Sequence, residues 1–209
     1  MKTKVLILGG SSFAGSNFIN FLIQKKKYNI LGTYNSKKNL KKLIFKNSLD
    51  KFKLIKLDLS IENNKLLKII KSFKPEYIFD FASVCLVNES WDTPNYYFKV
   101  NLNSKINFIK NMNNLSFIRK FIYVGTPEIF GSTLKPVKEN SLIFNPSTPY
   151  AISKLSFSKK LISPFSLITS TSFTKSHVSI PNEPAFMVNA PPMDPGIPEK
   201  NAAGPIPFL

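Results

Sequence analysis

Cysteine, histidine and long apolar runs are all scarce in this chain. The one cysteine, Cys85, has no partner for an internal disulfide, and together with the one histidine, His177, it offers no metal-binding spacing. The longest apolar runs, such as Val5 to Leu8, are far too short to cross a bilayer. Glycine and polar residues interrupt this first run at once, so it lacks the form of a signal peptide. We therefore expect a cytoplasmic protein with no metal and no membrane partner.

Arginine is also nearly absent, although the chain is strongly basic. It carries 29 Lys+Arg against 12 Asp+Glu, a formal net charge of +17, yet Arg119 is its only arginine. A large positive charge favours binding to nucleic acid or anionic membranes, because lysine and arginine neutralise phosphates. Base-edge and bidentate phosphate recognition, however, favours arginine. The lysines are scattered over helical segments, so we interpret them as a solvated surface and predict no specific nucleic-acid partner.

The apolar content is sufficient for a real core: of 209 residues 43% are hydrophobic and 20% charged, which excludes a disordered chain and a collagen. Short apolar segments alternate with amphipathic ones through residues 1–163. The predicted strands are Val5–Leu8, Ile30–Tyr34, Leu54–Leu57, Tyr77–Phe81 and Phe121–Val124. The predicted helices are Ala14–Gln24, Asn39–Phe45, Asn64–Phe73, Asn95–Met112 and Tyr150–Ile162. This βαβ rhythm predicts an α/β fold, a doubly wound parallel sheet covered on both faces.

The character of the chain changes at residue 164. Nine of the 15 prolines lie in residues 164–209, together with only two lysines, Lys175 and Lys200. Prolines at this density forbid a long helix and disrupt central strands. We therefore predict a nucleotide-binding domain over residues 1–163 and an irregular proline-rich tail over residues 164–209.

A glycine-rich turn, Gly9-Gly10-Ser11-Ser12-Phe13-Ala14-Gly15, follows the first predicted strand and opens the first helix. Small residues are needed there because the backbone must turn tightly and approach a pyrophosphate, while the helix N-terminus faces the anion. The alternative is an ordinary strand-to-helix turn. Position at the N-terminus in a βα unit of the correct length favours a dinucleotide site. Its predicted cofactor contacts are Gly9, Ser11, Ser12, Phe13, Ala14 and Gly15.

The end of the second predicted strand bears on the choice between NAD and NADP. An acidic residue there would bond the ribose 2′-hydroxyl of NAD, but the sequence has Asn35, Ser36 and Lys37. Hydroxyl, amide and ammonium groups suit a 2′-phosphate, so this segment slightly favours NADP, unless the lysine is simply solvated. Asp58, with Leu59, follows the third strand and is placed either to cover the adenine or to cap a turn.

Tyr150 and Lys154 are four residues apart, on one face of a predicted helix. A nearby cation favours phenolate over phenol, which moves the pKa of tyrosine towards neutrality and makes it a usable general base. Tyr34 and Lys38 share this spacing, which we attribute to chance in a lysine-rich chain. Tyr150 differs because it follows the fifth strand, at the edge where parallel-sheet enzymes bind ligands.

Two more polar residues come at the end of that strand. Thr126 is placed to bond a substrate hydroxyl that Tyr150 deprotonates, and Glu128 to act as a second acid or base. The predicted catalytic residues are therefore Thr126, Glu128, Tyr150 and Lys154.

Taken together, residues 1–163 resemble the extended short-chain dehydrogenases/reductases, specifically the NAD-dependent epimerase/dehydratase family. The motifs that carry the resemblance are Gly9 to Gly15, Asp58-Leu59, Asp80-Phe-Ala82-Ser83, Val100-Asn101, Thr126-x-Glu128-x-x-Gly131 and Pro146-x-x-Pro149-Tyr150-x-x-x-Lys154. The resemblance implies a Rossmann-type fold, NAD or NADP as cofactor with Ala82 and Asn101 among its contacts, and a nucleotide-sugar substrate. It further implies Tyr150 as base, Lys154 on the ribose, and a homodimer for the full-length enzyme.

Within this family, Thr126-x-Glu128 is similar to the pattern of sugar-nucleotide 4,6-dehydratases of the dTDP-glucose or GDP-mannose type. That similarity implies oxidation at C4, removal of the C5 proton by Glu128, loss of water from C6 and return of the hydride to C6. Ser12 stands in place of the middle glycine, and Pro127 in place of an aspartate in the dTDP-glucose enzymes. Epimerase or reductase chemistry is the first alternative, and an inactive dinucleotide-binding fragment is the second.

Family members continue beyond the lysine with a sixth strand and a smaller substrate domain, which residues 164–209 do not match. One hypothesis is that the tail is read out of frame, so that the substrate domain is missing or unreadable. Read two nucleotides out of phase, the codons of residues 185–189 permit the Val-Tyr-Gly expected near this distance. An uninterrupted genomic frame encoding the printed tail would contradict this hypothesis.

Overall fold

The structure, a computed structural model, describes residues 2–36, 52–112, 115–133, 136–138, 141 and 143–162, without the side chains of 159–162. Its five strands are β1 (Thr3–Leu8), β2 (Tyr28–Tyr34), β3 (Lys53–Lys56), β4 (Tyr77–Asp80) and β5 (Lys120–Tyr123). They form one sheet in the order β3-β2-β1-β4-β5, and every neighbouring pair is parallel. This confirms the predicted fold class, since the chain moves outward from β1 first to one side and then to the other.

The helices are α1 (Phe13–Gln24), α2 (Asn63–Phe73), α3 (Glu89–Asp92), α4 (Pro94–Phe98), α5 (Ser104–Met112) and α6 (Pro149–Ile162). The single predicted helix from residue 95 to residue 112 is therefore three segments, because Lys99–Asn103 is a π-helical turn between α4 and α5. A short 3₁₀ turn, Pro127–Phe130, follows β5. The predicted helix Asn39–Phe45 and the tail over residues 164–209 lie outside the described residues.

The central strand β1 contributes to both faces of the sheet because successive side chains point in opposite directions. Val5 and Ile7 pack with Ile19 and Leu22 of α1 on one face. Leu6 and Leu8 pack on the other face, in a larger cluster to which α2, α5 and α6 contribute. All four β1 side chains are buried, so this strand anchors a doubly covered sheet. Among the described residues, no helix combines the length and apolarity needed to cross a membrane.

Strand order determines where a ligand could bind. β1 and β4 are neighbours in the sheet, with Leu8 opposite Asp80, and their following loops leave in opposite directions. A crevice forms at the carboxyl ends of the strands at such a switch point, and doubly wound proteins bind ligands there.

Candidate active site

The turn between β1 and α1 is held by hydrogen bonds within itself. The Ser12 amide donates to the Gly9 carbonyl at 2.9 Å, and the Ser12 hydroxyl accepts from the Gly15 amide at 3.0 Å. Ser12 is thus the N-cap of α1 and satisfies one of the amides that a helix start leaves without a partner. Phe13 is 83% exposed at the first position of the helix. The serine that replaces a glycine in the motif therefore has a local structural role.

Gly9 lies directly against the loop that follows β4. Its φ angle is +72°, and an added Cβ would lie 2.7 Å from the Ala82 amide nitrogen. The Gly9 amide donates to the Thr33 hydroxyl of β2 at 3.1 Å. The turn therefore lies between the ends of β4 and β2, and at position 9 there is room only for glycine. This brings together Gly9 and Ala82, two of the predicted cofactor contacts.

Asn35 and Ser36 follow the end of β2, whereas Lys37 lies outside the described residues. The Leu57 amide donates to the Tyr34 carbonyl at 2.8 Å, which places Asp58 and Leu59 beside that strand end. The Asp58 carboxylate accepts from the amide and the hydroxyl of Ser60, at 2.9 and 2.7 Å. Asp58 therefore caps the turn that leads to α2, which was its alternative interpretation.

The end of β5 joins the start of α6 through Thr126 and Tyr150. A hydrogen bond links the Thr126 hydroxyl to the Tyr150 side chain and lowers the pKa of the phenol, although burial raises that pKa by more. Thr126 is also the N-cap of the Pro127–Phe130 turn and accepts from the Glu128 amide at 3.4 Å. The Glu128 carboxylate is close enough to Tyr150 to raise the pKa of its hydroxyl further. Thr126, Glu128 and Tyr150, three of the four predicted catalytic residues, therefore lie close together.

Lys154 is 3% exposed, one turn of α6 beyond Tyr150. Its ammonium donates to the Val124 carbonyl at 2.7 Å and lies 4.3 Å from the ring centroid of Tyr123. Burial first, and then the charge of Lys105, lower the pKa of Lys154 to about 8. The expectation that Lys154 brings the pKa of Tyr150 towards neutrality is wrong for the protein without a cofactor. Burial dominates at Tyr150, and the pKa of its phenol is above the ordinary value.

A buried ion pair that the sequence did not reveal lies behind these residues. The Lys105 ammonium of α5 is 2.6 Å from Asp80 Oδ2 at the end of β4, and both residues are 2% exposed. Lys105 also donates to the Ala82 carbonyl, and its ammonium lies 4.9 Å from the ring centroid of Tyr123. The pair therefore connects the loop beside Gly9 with the surroundings of Lys154.

Asn101, predicted as a cofactor contact, is fully buried in the π-helical turn. Its amide group donates to the Val84 carbonyl at 3.0 Å and to the Ser153 hydroxyl at 3.1 Å, and its side-chain carbonyl accepts from the Val84 amide at 3.0 Å. Such π-helical turns are frequent at functional sites. Here the turn orients an amide that ties the loop after β4 to α6, so Asn101 acts on the site through the backbone.

The glycine turn has the shape that a dinucleotide requires. An added Cβ at Gly15 would clash with the Gly9 carbonyl oxygen, so Gly15, like Gly9, is packed too closely against backbone for a side chain. Ser11 and Ala14 complete the segment, at the N-terminal end of a 12-residue helix. Close approach of backbone and a helix N-terminus together suit a pyrophosphate. The residues present therefore fit the group that the motif implies.

A glycine turn at the switch point of a parallel sheet defines a Rossmann-type domain. In this chain a helix with the Tyr-x-x-x-Lys spacing, α6, also packs against the end of β5. A family profile described as GDP-mannose 4,6-dehydratase matches residues 6–164. The chain belongs to this family, within the NAD-dependent epimerases and dehydratases of the short-chain dehydrogenase/reductase class.

Two proteins that are similar to most of this chain are epimerases. A UDP-glucose 4-epimerase of Mycoplasma pneumoniae is 30% identical over 161 residues, which cover 73% of this chain and 45% of that protein. The UDP-Glc/GlcNAc 4-epimerase of Campylobacter jejuni is similar in structure, with a TM-score of 0.67 and 27% identity, over 77% of this chain and 48% of that one. The chain spans about half the length of the curated relatives it matches.

A third protein supports the fold. The UDP-glucose 4-epimerase of Bifidobacterium longum, solved with NAD+ and UDP, has a TM-score of 0.67 at 22% identity, over 77% of this chain and 48% of that one.

Proposed function

We propose that this chain carries the cofactor-binding and proton-transfer part of an NAD(P)-dependent enzyme that oxidises the C4 hydroxyl of a nucleotide-sugar. The observation that carries the proposal is the hydrogen bond between Thr126 and Tyr150, with Lys154 one helical turn away at the end of β5. A phenol next to a hydroxyl and an ammonium suits removal of a proton from an alcohol.

In this proposal Tyr150 takes the proton of the sugar C4 hydroxyl. When bound, the nicotinamide cofactor accepts the C4 hydride and later returns it. Thr126 donates a hydrogen bond to the phenol oxygen and stabilises its phenolate form, which partly offsets the effect of burial. A protonated Lys154 stabilises the phenolate further and, because its ammonium has three N–H donors, can donate to ribose hydroxyls while keeping its bond to the Val124 carbonyl.

We further propose 4,6-dehydration as the overall reaction, because Glu128 lies beside Tyr150 on a rigid turn. The φ angle of Gly131 is +66°, the Asn145 amide donates to the Ile129 carbonyl at 3.0 Å, and the rings of Phe130 and Phe144 stack at 5.6 Å. Once C4 is a ketone, the C5 proton is acidic enough for a carboxylate to remove. Glu128 takes that proton and delivers it to the C6 hydroxyl, which leaves as water; the hydride then returns to C6 while C5 takes a proton from solvent.

A 4-epimerase is the second candidate, favoured by the names of the relatives. That reaction needs Tyr150, Thr126 and Lys154 but no acid at position 128, since the hydride returns to C4 from the other face of the sugar. The cofactor can be NAD or NADP. The polar Asn35-Ser36 segment still favours NADP, while NAD is the cofactor named in the Bifidobacterium longum structure. The homodimer stays a prediction.

The test uses the full chain with NAD or NADP and UDP-, GDP- and dTDP-hexoses in deuterated water, read by mass spectrometry. Dehydration is expected to remove one water and to add one deuterium at C5, whereas epimerisation leaves the mass unchanged and is recognised by chromatographic separation of the two hexoses. Tyr150→Phe should lower either reaction by about 10²–10⁴-fold. Glu128→Gln should suppress dehydration and leave epimerisation intact.

Cofactor affinity is measured beside turnover. Binding without turnover of any of these sugars, under conditions in which a curated relative is active, would favour the dinucleotide-binding fragment and contradict the enzymatic proposal. Absence of both binding and turnover would contradict the cofactor assignment as well.

A further inference from the structure

Two lysines and one carboxylate share a buried cluster under the end of the sheet. Lys105 from α5 and Lys154 from α6 both lie within 5 Å of the ring centroid of Tyr123, at 4.9 and 4.3 Å. The carboxylate of Asp80 bonds Lys105 at 2.6 Å, and the Ala82 amide donates to its other oxygen at 3.0 Å. Among the described residues the cluster therefore contains two ammonium groups and one carboxylate, and that carboxylate is bonded to Lys105.

The other titratable groups near Lys154 do not neutralise it. Tyr150 on its own helix and Tyr123 on β5 both have a pKa above the ordinary value, so both are neutral phenols at pH 7. Cys85 is an exposed thiol on the loop after β4, and its effect on Lys154 is electrostatic only. Glu128, after β5, has an electrostatic effect on Tyr150. The hydrogen-bond acceptor of the Lys154 ammonium is a backbone carbonyl, that of Val124.

We propose that Lys105 is a positioning residue which, by binding the Asp80 carboxylate, leaves Lys154 without an ion pair among the described residues and so controls the charge state of the Tyr150–Lys154 pair. The proposal deepens the proposed function and rests on it for its catalytic meaning. Burial makes an ammonium without a carboxylate partner costly, and a second ammonium on the same ring adds repulsion. Both effects make Lys154 ready to lose its proton near neutral pH.

The Lys105 ammonium also holds the loop at the cofactor turn. It donates to the Ala82 carbonyl, and Ala82 is the residue against which Gly9 packs. The Lys105 side chain therefore contacts both the loop that packs against the glycine turn and the surroundings of Lys154.

The test measures the pKa of Lys154 directly, by NMR of the full chain labelled with [¹³C]ε-lysine and without sugar substrate, with Lys154→Met used to assign the signal. Lys105→Met should raise the pKa of Lys154 by about one unit or more, because repulsion disappears and Asp80 becomes available as its partner. Lys105→Arg keeps the charge and should leave the pKa near the wild-type value. Asp80→Asn should lower it.

The double variant Asp80→Asn with Lys105→Met removes the pair without changing the net buried charge, so it is the variant of choice if Lys105→Met alone does not fold. Its Lys154 pKa should also rise, but by less than in Lys105→Met. An unchanged Lys154 pKa in both Met-containing variants would overturn the proposal. Because this titration needs neither cofactor nor turnover, its outcome is independent of whether the chain dehydrates or epimerises a sugar.

If the chain is active, the same variants supply a second measurement. The alkaline limb of kcat should move to higher pH in Lys105→Met and stay in place in Lys105→Arg. A purely structural role of Lys105 would lower kcat without moving that limb.

Discussion

The side chains of Asn101 and Ser153, on the π-helical turn and on α6, are joined by a buried hydrogen bond of 3.1 Å. Ser153 in turn donates to the Tyr150 carbonyl at 2.7 Å. A chain of bonds thus runs from the loop after β4, through Asn101 and Ser153, to the backbone of Tyr150. The orientation of the first turn of α6 therefore depends on this interior contact.

Asn101→Ala should lower the free energy of unfolding by about 1–3 kcal/mol, because the amide and carbonyl of Val84 lose their partner in a partly buried loop. The measurement is urea denaturation of the full chain. Asn111→Ala is the matched control, since Asn111 is exposed and donates only along its own helix to the Asn107 carbonyl. Its effect should stay within about 0.5 kcal/mol. Equal effects of the two substitutions would contradict the role given to Asn101.

Gly9→Ala should destabilise the fold by more than about 1 kcal/mol, because a side chain there combines a positive φ with a backbone clash at Ala82. Gly125→Ala is the control, since an added Cβ at Gly125 meets nothing within 4 Å. That variant should be neutral or slightly stabilised. Denaturation midpoints at constant slope give both values. A neutral Gly9→Ala would show that the loop after β4 yields easily.

Ser12→Ala should cost about 1 kcal/mol, since it removes the side chain that accepts from the Gly15 amide at the start of α1. Ser12→Gly, which restores the usual glycine of the motif, should cost only a few tenths of a kcal/mol, because glycine is itself accepted at this position. The order of the two variants in thermal denaturation is the test. If Ser12→Ala were as stable as Ser12→Gly, the Ser12 cap would make no measurable contribution to the free energy of unfolding.

The stability of the protein should rise with pH above about 8, to the extent that Lys154 contributes. The pKa of Lys154 is about 8 in the folded chain and 10.5 as its ordinary value, so between these values the unfolded chain binds the extra proton. One such group contributes at most about 1.4 kcal/mol per pH unit. Lys154→Met should lose this slope, and the stability difference between the two proteins, measured by urea denaturation at pH 7 to 10, reports it. Parallel pH curves would contradict the lowered pKa.

Thr126→Val should raise the pKa of Tyr150 further above its ordinary value, because the Thr126 hydrogen bond is the interaction that lowers it. Thr126→Ser keeps a hydroxyl and should leave the pKa where it is in the wild type. Ultraviolet difference titration of the phenolate, with Tyr150→Phe used to assign the signal, measures the change. A lower pKa in Thr126→Val would mean that the hydroxyl stabilises the phenol and not the phenolate.

The parts of the fold and site that follow local rules were predictable from the sequence. The apolar run of β1, the glycine turn and the Tyr150–Lys154 spacing are each decided by residues close together in the chain. Parallel strands in a doubly wound order then bring the ends of β1, β4 and β5 to one edge. This is why residues taken from separate motifs, such as Gly9 and Ala82, meet in the structure.

The buried ion pair and the direction of the pKa shifts were not predictable. They depend on which lysines are buried, and a lysine-rich sequence does not show this. Lys99 and Lys110 are exposed, whereas Lys105, between them in the chain, is buried on Asp80. Nothing in the letters separates these three lysines. The direction of the Tyr150 pKa likewise depends on how deeply α6 is packed, and the role of Asn101 depends on a π-helical turn that has no period of its own in the sequence.

The pairing of β1 with β4 has a consequence for how the site is assembled in time. Val5 lies opposite Tyr77 and Leu8 opposite Asp80, so the crevice has only one wall until two distant segments have met. On the ribosome the glycine turn emerges long before Asp80, and Tyr150 later still. Until then the glycine turn lacks the opposing loop after β4 and the helix α6. The crevice at the carboxyl ends of β1 and β4 is therefore complete only after both segments have paired.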